Sequence, residues 1–144
     1  MYVTHDSGAY DRLSPLSARV ERFVGGESLE PALELWSRVL ARPEPGLAIL
    51  GVGHRETPSR LGMPVPLLRR SDDGRLQPID ATTASISGMN DHHAYLRLAP
   101  SDGLAVGDLV GLGISHPCEA FEKWRTVIAV DEDRVVLRSL QTQF

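Results

Sequence analysis

Cysteine, lysine and any strong excess of charge are what this sequence has least of. Its single cysteine, Cys118, cannot form an internal disulfide, so the thiol is a small buried hydrophobe, a reactive group or a metal ligand. A formal net charge of −4, with no basic cluster set among aromatics, excludes the electrostatic footprint of a nucleic-acid binder. No apolar run reaches the length of a membrane span. The opening "MYVTHDSGAY" lacks the charged-then-apolar layout of a signal peptide, so a cytoplasmic protein is expected. No G-x-S-x-G, Walker loop or H-E-x-x-H is present. The Gly51-x-Gly53 pair before His54 lacks the third glycine and the following helix of a dinucleotide site. Of fifteen basic residues only Lys123 is lysine, so chemistry that needs a primary amine has one side chain to draw on.

What remains is an ordinary folded composition, 42% hydrophobic and 24% charged over 144 residues, enough for one domain with a core. The first residues, "YVTHD", favour a strand running into the Asp6-Ser7-Gly8 turn, although a strand so close to the start needs neighbours from elsewhere. Ser14 before Pro15 starts a short helix with Leu16, Val20 and Phe23 on one face, ended by Gly25-Gly26. Residues 32–52 are ambiguous. Leu33, Trp36 and Leu40 fit a helical face, Leu33, Leu35 and Val39 fit a strand, and propensity alone favours helix. From "TASISGMN" onward, "HAYLRLA", "GDLVGLGIS", "WRTVIAVD" and "RVVLRSLQ" read as strands between turns, while "ARPEPG", "ETPSRLGMPVP" and "RRSDDGRLQP" read as loops. The expected fold is mainly β, a small open or closed barrel with one or two short helices near the N-terminus.

Two segments carry candidate chemistry. "ISHPCEAFEKWR" sets His116 two residues before Cys118. On a strand such residues point to the same side, and Pro117 suits a strand end at a barrel rim. Imidazole and thiolate are donors that zinc prefers, but a structural zinc site needs four and this motif offers two, so ligation and simple packing both stay open. "MNDHHAYL" sets His92 beside His93. Neighbouring strand residues face opposite sides, so at most one enters any site, and an exposed histidine beside a partly buried one explains the pair equally well.

Four segments in order, "YVTHDSGAY", "PALELWSRVLARPEPGLAILGVGHRE", "MNDHHAYL" and "VGDLVGLGISHPCEAFEKWR", resemble the C-terminal part of the D-serine dehydratase and D-threonine aldolase family, nearest to its amino-acid deaminase members. The likeness covers nearly the whole chain, and H-P-C…F-x-K-W-R is its most specific piece. It implies a pyridoxal-phosphate (PLP) enzyme of the alanine-racemase fold type, in which a TIM-type barrel carries the cofactor and a C-terminal β domain follows. Residues 1–28 would then be the remnant of the last barrel strand and the helix after it, and residues 29–144 the β domain. Residues 32–52 become two strands against their propensity.

By the same resemblance His116 and Cys118 bind a divalent metal, expected to be zinc, with water and substrate completing its shell. Tyr2 would lie near the PLP phosphate if a barrel is present, and His93 is the candidate for an acid–base role. The family's Schiff-base lysine belongs to barrel sequence that this chain does not contain. Lys123 matches instead a lysine beside the metal pair with a structural or electrostatic role. Departures are His54 where relatives have lysine, Glu56 where they have aspartate and His92 where they have glutamine. The expected partners are a D-amino-acid substrate and either a second copy or a barrel subunit, with no nucleic acid and no membrane, and the isolated chain is expected to be inactive. The competing expectation is a non-catalytic β-domain protein for binding or assembly, with His116 and Cys118 merely packed.

Overall fold

The structure is a computed structural model that describes Asp6, Ser7 and residues 31–143. Among the described residues strands dominate: β1 (Glu34–Glu44), β2 (Leu47–Leu50), β3 (Val65–Arg70), β4 (Leu76–Pro78), β5 (Ser85–Met89), β6 (Ala94–Arg97), β7 (Leu109–Gly113), β8 (Thr126–Val130) and β9 (Val136–Gln141), with a helix, α1 (Pro117–Lys123), between β7 and β8. Seven strands form an antiparallel sheet in the order β4-β3-β7-β1-β2-β6-β5, and β8 pairs with β9 alone. The large sheet curls until β3 also approaches β5, giving a half-barrel. The mainly β fold expected from the sequence is therefore the fold observed. The expected N-terminal helix and the strand containing Tyr2 lie outside the described residues.

Residues 32–52 form a hairpin rather than a helix. In β1, Ser37 and Val39 are buried while Arg38 and Leu40 are exposed, the period-two alternation of a strand with one face on a core. Pairing with β7 on one side and β2 on the other satisfies the backbone of β1 and overrides its helical propensity. The turn at Pro45-Gly46 needs the positive φ of Gly46, 81°, which is where glycine costs least. "ARPEPG" thus belongs mostly to β1, not to a loop. The core gathers on the inner face, where Val39, Leu50, Leu96, Val110 and Leu112 have no solvent exposure.

Two further expectations are corrected. "ETPSRLGMPVP" and "RRSDDGRLQP" are not only loops, because β3 and β4 run through them. Pro66 removes a ladder donor and argues against a strand, yet it sits at a register shift in the β3–β7 pairing, a place where a sheet tolerates proline. His116 and Cys118 are not in a strand either. β7 stops at Gly113, His116 is the N-cap of α1 with φ −146° and ψ 82°, and Pro117 opens the helix. Proline is favoured there because a first-turn N–H has no intrahelical partner and the fixed φ is already helical, and Glu119 adds the acidic residue that a first turn prefers. The motif starts a helix instead of ending a strand.

Candidate functional site

Antiparallel pairing brings three connections to one end of the half-barrel. Leu50, at the end of β2, pairs with Ala94 at the start of β6, and Gly113, at the end of β7, pairs with both Glu34 and Val65. The loop of residues 51–64, the turn of residues 90–93 and the segment of residues 114–124 therefore share a rim. These connections hold His54, Glu56, His92, His93, His116, Cys118 and Lys123, which the sequence separates by up to seventy positions. Ser7 joins them, its N–H donating to Ile114 O at 2.9 Å.

The 51–64 loop is clamped from two sides. Its Gly53 lies flat on the 90–93 turn: a Cβ there would fall 2.2 Å from Asn90 O. The next two amides, of His54 and Arg55, donate to Asn90 O at 2.9 Å and Asp91 O at 3.0 Å. From the other side, Lys123 Nζ donates to His54 O at 2.8 Å and Trp124 Nε1 donates to Glu56 O at 2.7 Å. The lysine and tryptophan of the F-x-K-W-R segment thus tie α1 to the loop. The Lys123 ammonium is thereby engaged by a backbone carbonyl.

Glu56 links the loop to the histidine turn. Its Oε2 accepts the Gly53 N–H at 2.8 Å, and its Oε1 lies 2.7 Å from His92 Nδ1. Burial pushes the Glu56 carboxyl up, but the bonds from Gly53 and His92 more than offset this and hold it below its ordinary value. His92 and His93 stand in the turn, both exposed, and not on alternating strand faces. His93 contributes only its carbonyl, which accepts the Asn90 N–H at 2.8 Å. The structure therefore gives His92 a carboxylate partner and shows none for the His93 ring among the described residues. His54 is exposed, its Nδ1 2.9 Å from Ser59 Oγ.

At the other side of the rim, Ser115 Oγ donates to Gly62 O at 2.6 Å and fixes the entry to α1. The His116 side chain is 24% exposed. Its Nδ1 is buried, lies 3.2 Å from Glu119 Oε1 and lacks the alignment of a hydrogen bond to it. Cys118 is exposed, which overturns the reading of this thiol as a buried hydrophobe. Among the described residues no three His, Cys, Asp or Glu side chains converge as a metal site. A metal here would rest on His116 and Cys118 with the rest of its shell drawn from outside. The pair is suited to that role, since it offers an exposed thiol and an imidazole in which Nε2 is the nitrogen left accessible. Sequence reasoning missed Glu119. Its spacing of three from His116 becomes a contact only once His-Pro-Cys is read as a helix start.

The sequence model of the family described as "Putative serine dehydratase domain" matches residues 32–130, well over half of the chain, so the chain belongs to that family. No curated protein sequence matches it. Among solved structures it is similar to a D-threonine aldolase from Filomicrobium marinum, with 22% identity and a TM-score of 0.74 over 96% of this chain and 33% of that one. It is also similar to a D-threo-3-hydroxyaspartate dehydratase from Delftia sp. HT23, with 19% identity and a TM-score of 0.55 over 78% of this chain and 32% of that one. A cysteine-to-alanine mutant of D-threo-3-hydroxyaspartate dehydratase in its metal-free form has 16% identity and a TM-score of 0.58 over 78% and 32%. The chain spans about a third of the length of these proteins, and at such identities the likeness is one of fold.

Proposed function

We propose that this chain, as a member of the serine dehydratase domain family, is the metal-carrying C-terminal β domain of a PLP-dependent lyase acting on D-serine- or D-threonine-like substrates. The observation that carries this reading is the pair at the start of α1, an exposed Cys118 thiol beside His116, whose Nδ1 is buried and whose Nε2 stays accessible. Two of the similar structures support it: a cysteine mutant in the metal-free form and a histidine mutant of the same dehydratase, altered at positions two apart, which is the spacing of His116 and Cys118. A thiolate with an imidazole favours zinc among the common divalent ions. When bound, such an ion supplies Lewis acidity toward a substrate oxygen such as a β-hydroxyl.

The protein's own share is positional. Ser115 pins the approach to α1, Lys123 and Trp124 pin its end to the 51–64 loop, and Glu56 with His92 holds that loop to the neighbouring turn. His54, Glu56 and His92 would shape the substrate side of the rim, where they depart together from the residues of the resembled family. The residues present do not fit the other expected group. PLP is held by a free amine, and the one lysine here is bonded to His54 O. The cofactor, its lysine and a tyrosine contact such as Tyr2 are assigned to a barrel context, and no step is derived through them. The exposed aliphatic residues of β8 and β9 would serve association with a second copy or a barrel subunit. Among the described residues no helix is long and apolar enough to cross a membrane.

A cobalt(II) titration tests the metal reading. Thiolate ligation gives a sulfur-to-metal charge-transfer band, expected for the wild-type chain and absent from Cys118→Ala. A wild-type chain without the band would contradict the assignment. With zinc, PLP and D-serine but no barrel, the chain is expected to release no pyruvate.

A further inference from the structure

We propose that Glu119 positions His116 as a metal ligand, an inference that rests on the metal reading above. In α1 the N-cap is His116, so Glu119 is at N3, the position from which a glutamate often reaches back to the N-cap amide. It does not do so here: no side-chain bond caps the helix, and Glu119 Oε1 lies 3.2 Å from His116 Nδ1 instead. That nitrogen is buried and no group among the described residues is aligned to hydrogen-bond it, so the nearby Glu119 carboxylate is the one charge set against it by distance. A neutral imidazole carries its proton on one nitrogen and its lone pair on the other. With a carboxylate against the buried Nδ1, the proton belongs on Nδ1 and the lone pair on Nε2, the accessible nitrogen. This is the tautomer a ligand must present, and metal-binding histidines are commonly held in it by a carboxylate on the far nitrogen.

The carboxylate is itself restrained. The Glu119 side chain is 21% exposed, and the Arg60 guanidinium approaches the same Oε1 at 3.8 Å. Arg60 is 81% exposed, so its pull is screened by water. Since Cys118 lies between His116 and Glu119 in sequence, one helical turn carries the thiol, the imidazole and the group that aims the imidazole.

The test combines zinc affinity, measured by chelator competition on the 144-residue chain, with the His116 tautomer read from imidazole nitrogen shifts in the metal-free protein. Wild type is expected to show the Nδ1–H form. Glu119→Ala should give mixed tautomers and bind zinc roughly 10–100-fold more weakly. Glu119→Gln keeps an acceptor oxygen and should restore the tautomer and most of the affinity. A glutamate that only stabilised the helix would change the melting temperature and leave both readouts alone. Zinc binding lost in Cys118→Ala but unchanged in Glu119→Ala, with the wild-type tautomer retained, would overturn the inference and leave the metal reading standing. A wild-type chain that takes up no zinc would overturn both.

Discussion

Leu112 in β7 and Leu137 in β9 occupy strands of similar aliphatic content, yet Leu112 is fully buried and Leu137 is 64% exposed. The difference lies in their neighbours. β7 is paired on both sides, with β3 and β1, and its side chains enter the core of a curled seven-stranded sheet. Among the described residues β9 pairs only with β8, and Ile128, Val130, Val136 and Leu140 around it are exposed as well. A two-stranded hairpin is marginal in water on its own. Among the described residues a polar cluster at its turn links it to the half-barrel: Arg134 donates to Glu34 at 2.9 Å and lies 5.5 Å from the centre of the Trp36 ring, while Trp36 in turn donates to Glu34. The half-barrel carries the stability. The hairpin carries a surface, and α1 with the candidate site stands between them.

Substitutions can break or sharpen that contrast. The largest effect is expected in the sheet, where Leu112→Ala should cost about 2–5 kcal/mol through lost burial and a residual cavity, read as a lower denaturant midpoint. An effect below 1 kcal/mol would place the core elsewhere.

An intermediate, pH-dependent effect is expected at the rim. Glu56 has a folded pKa below its ordinary value of 4.5, so its contribution to stability is present above that pH and is lost as pH falls through the folded value. His92→Ala removes one of the bonds that hold the carboxyl down. The variant should therefore lose less stability than wild type as pH falls below 4.5 in paired urea unfolding curves. Parallel curves would remove Glu56 and His92 as a coupled pair.

The smallest effect is expected in the hairpin. Leu137→Ser should change stability by no more than about 0.5 kcal/mol in the isolated chain, as at other exposed positions. A larger loss that grows with protein concentration would show that β9 is covered by a second copy in solution.

The sequence made the β half readable because its aliphatic runs are separated by glycine, aspartate and proline turns, and β5 to β9 lie where those runs stand. β1 was not decidable from its own residues, since Trp36 and Leu40 fit a helical face with Leu33 while Leu35 and Val39 fit a strand face with the same Leu33. Its pairing with β7 decides it, and the family resemblance anticipated the outcome. β3 was hidden by Pro66, a residue that a sheet accepts only at an irregular position. In the candidate site, His116 and Cys118 were visible as residue types, but the geometry assigned to them was not: a strand was expected where Pro117 starts a helix. The misreading also concealed Glu119, whose relation to His116 exists only at helical spacing. The clamp of Lys123 and Trp124 on the 51–64 loop spans almost seventy positions, and no local pattern announces contacts of that kind.

Equilibrium dialysis against zinc, comparing wild type with His116→Ala and Cys118→Ala, tests the central claim most directly. The account predicts that wild type retains one zinc per chain, that both variants lose it, and that all three melt at similar temperatures, because the pair lies on α1 and outside the sheet core. Equal and negligible uptake by all three, with the two variants destabilised, would show that the pair serves packing and that this rim is not a metal site.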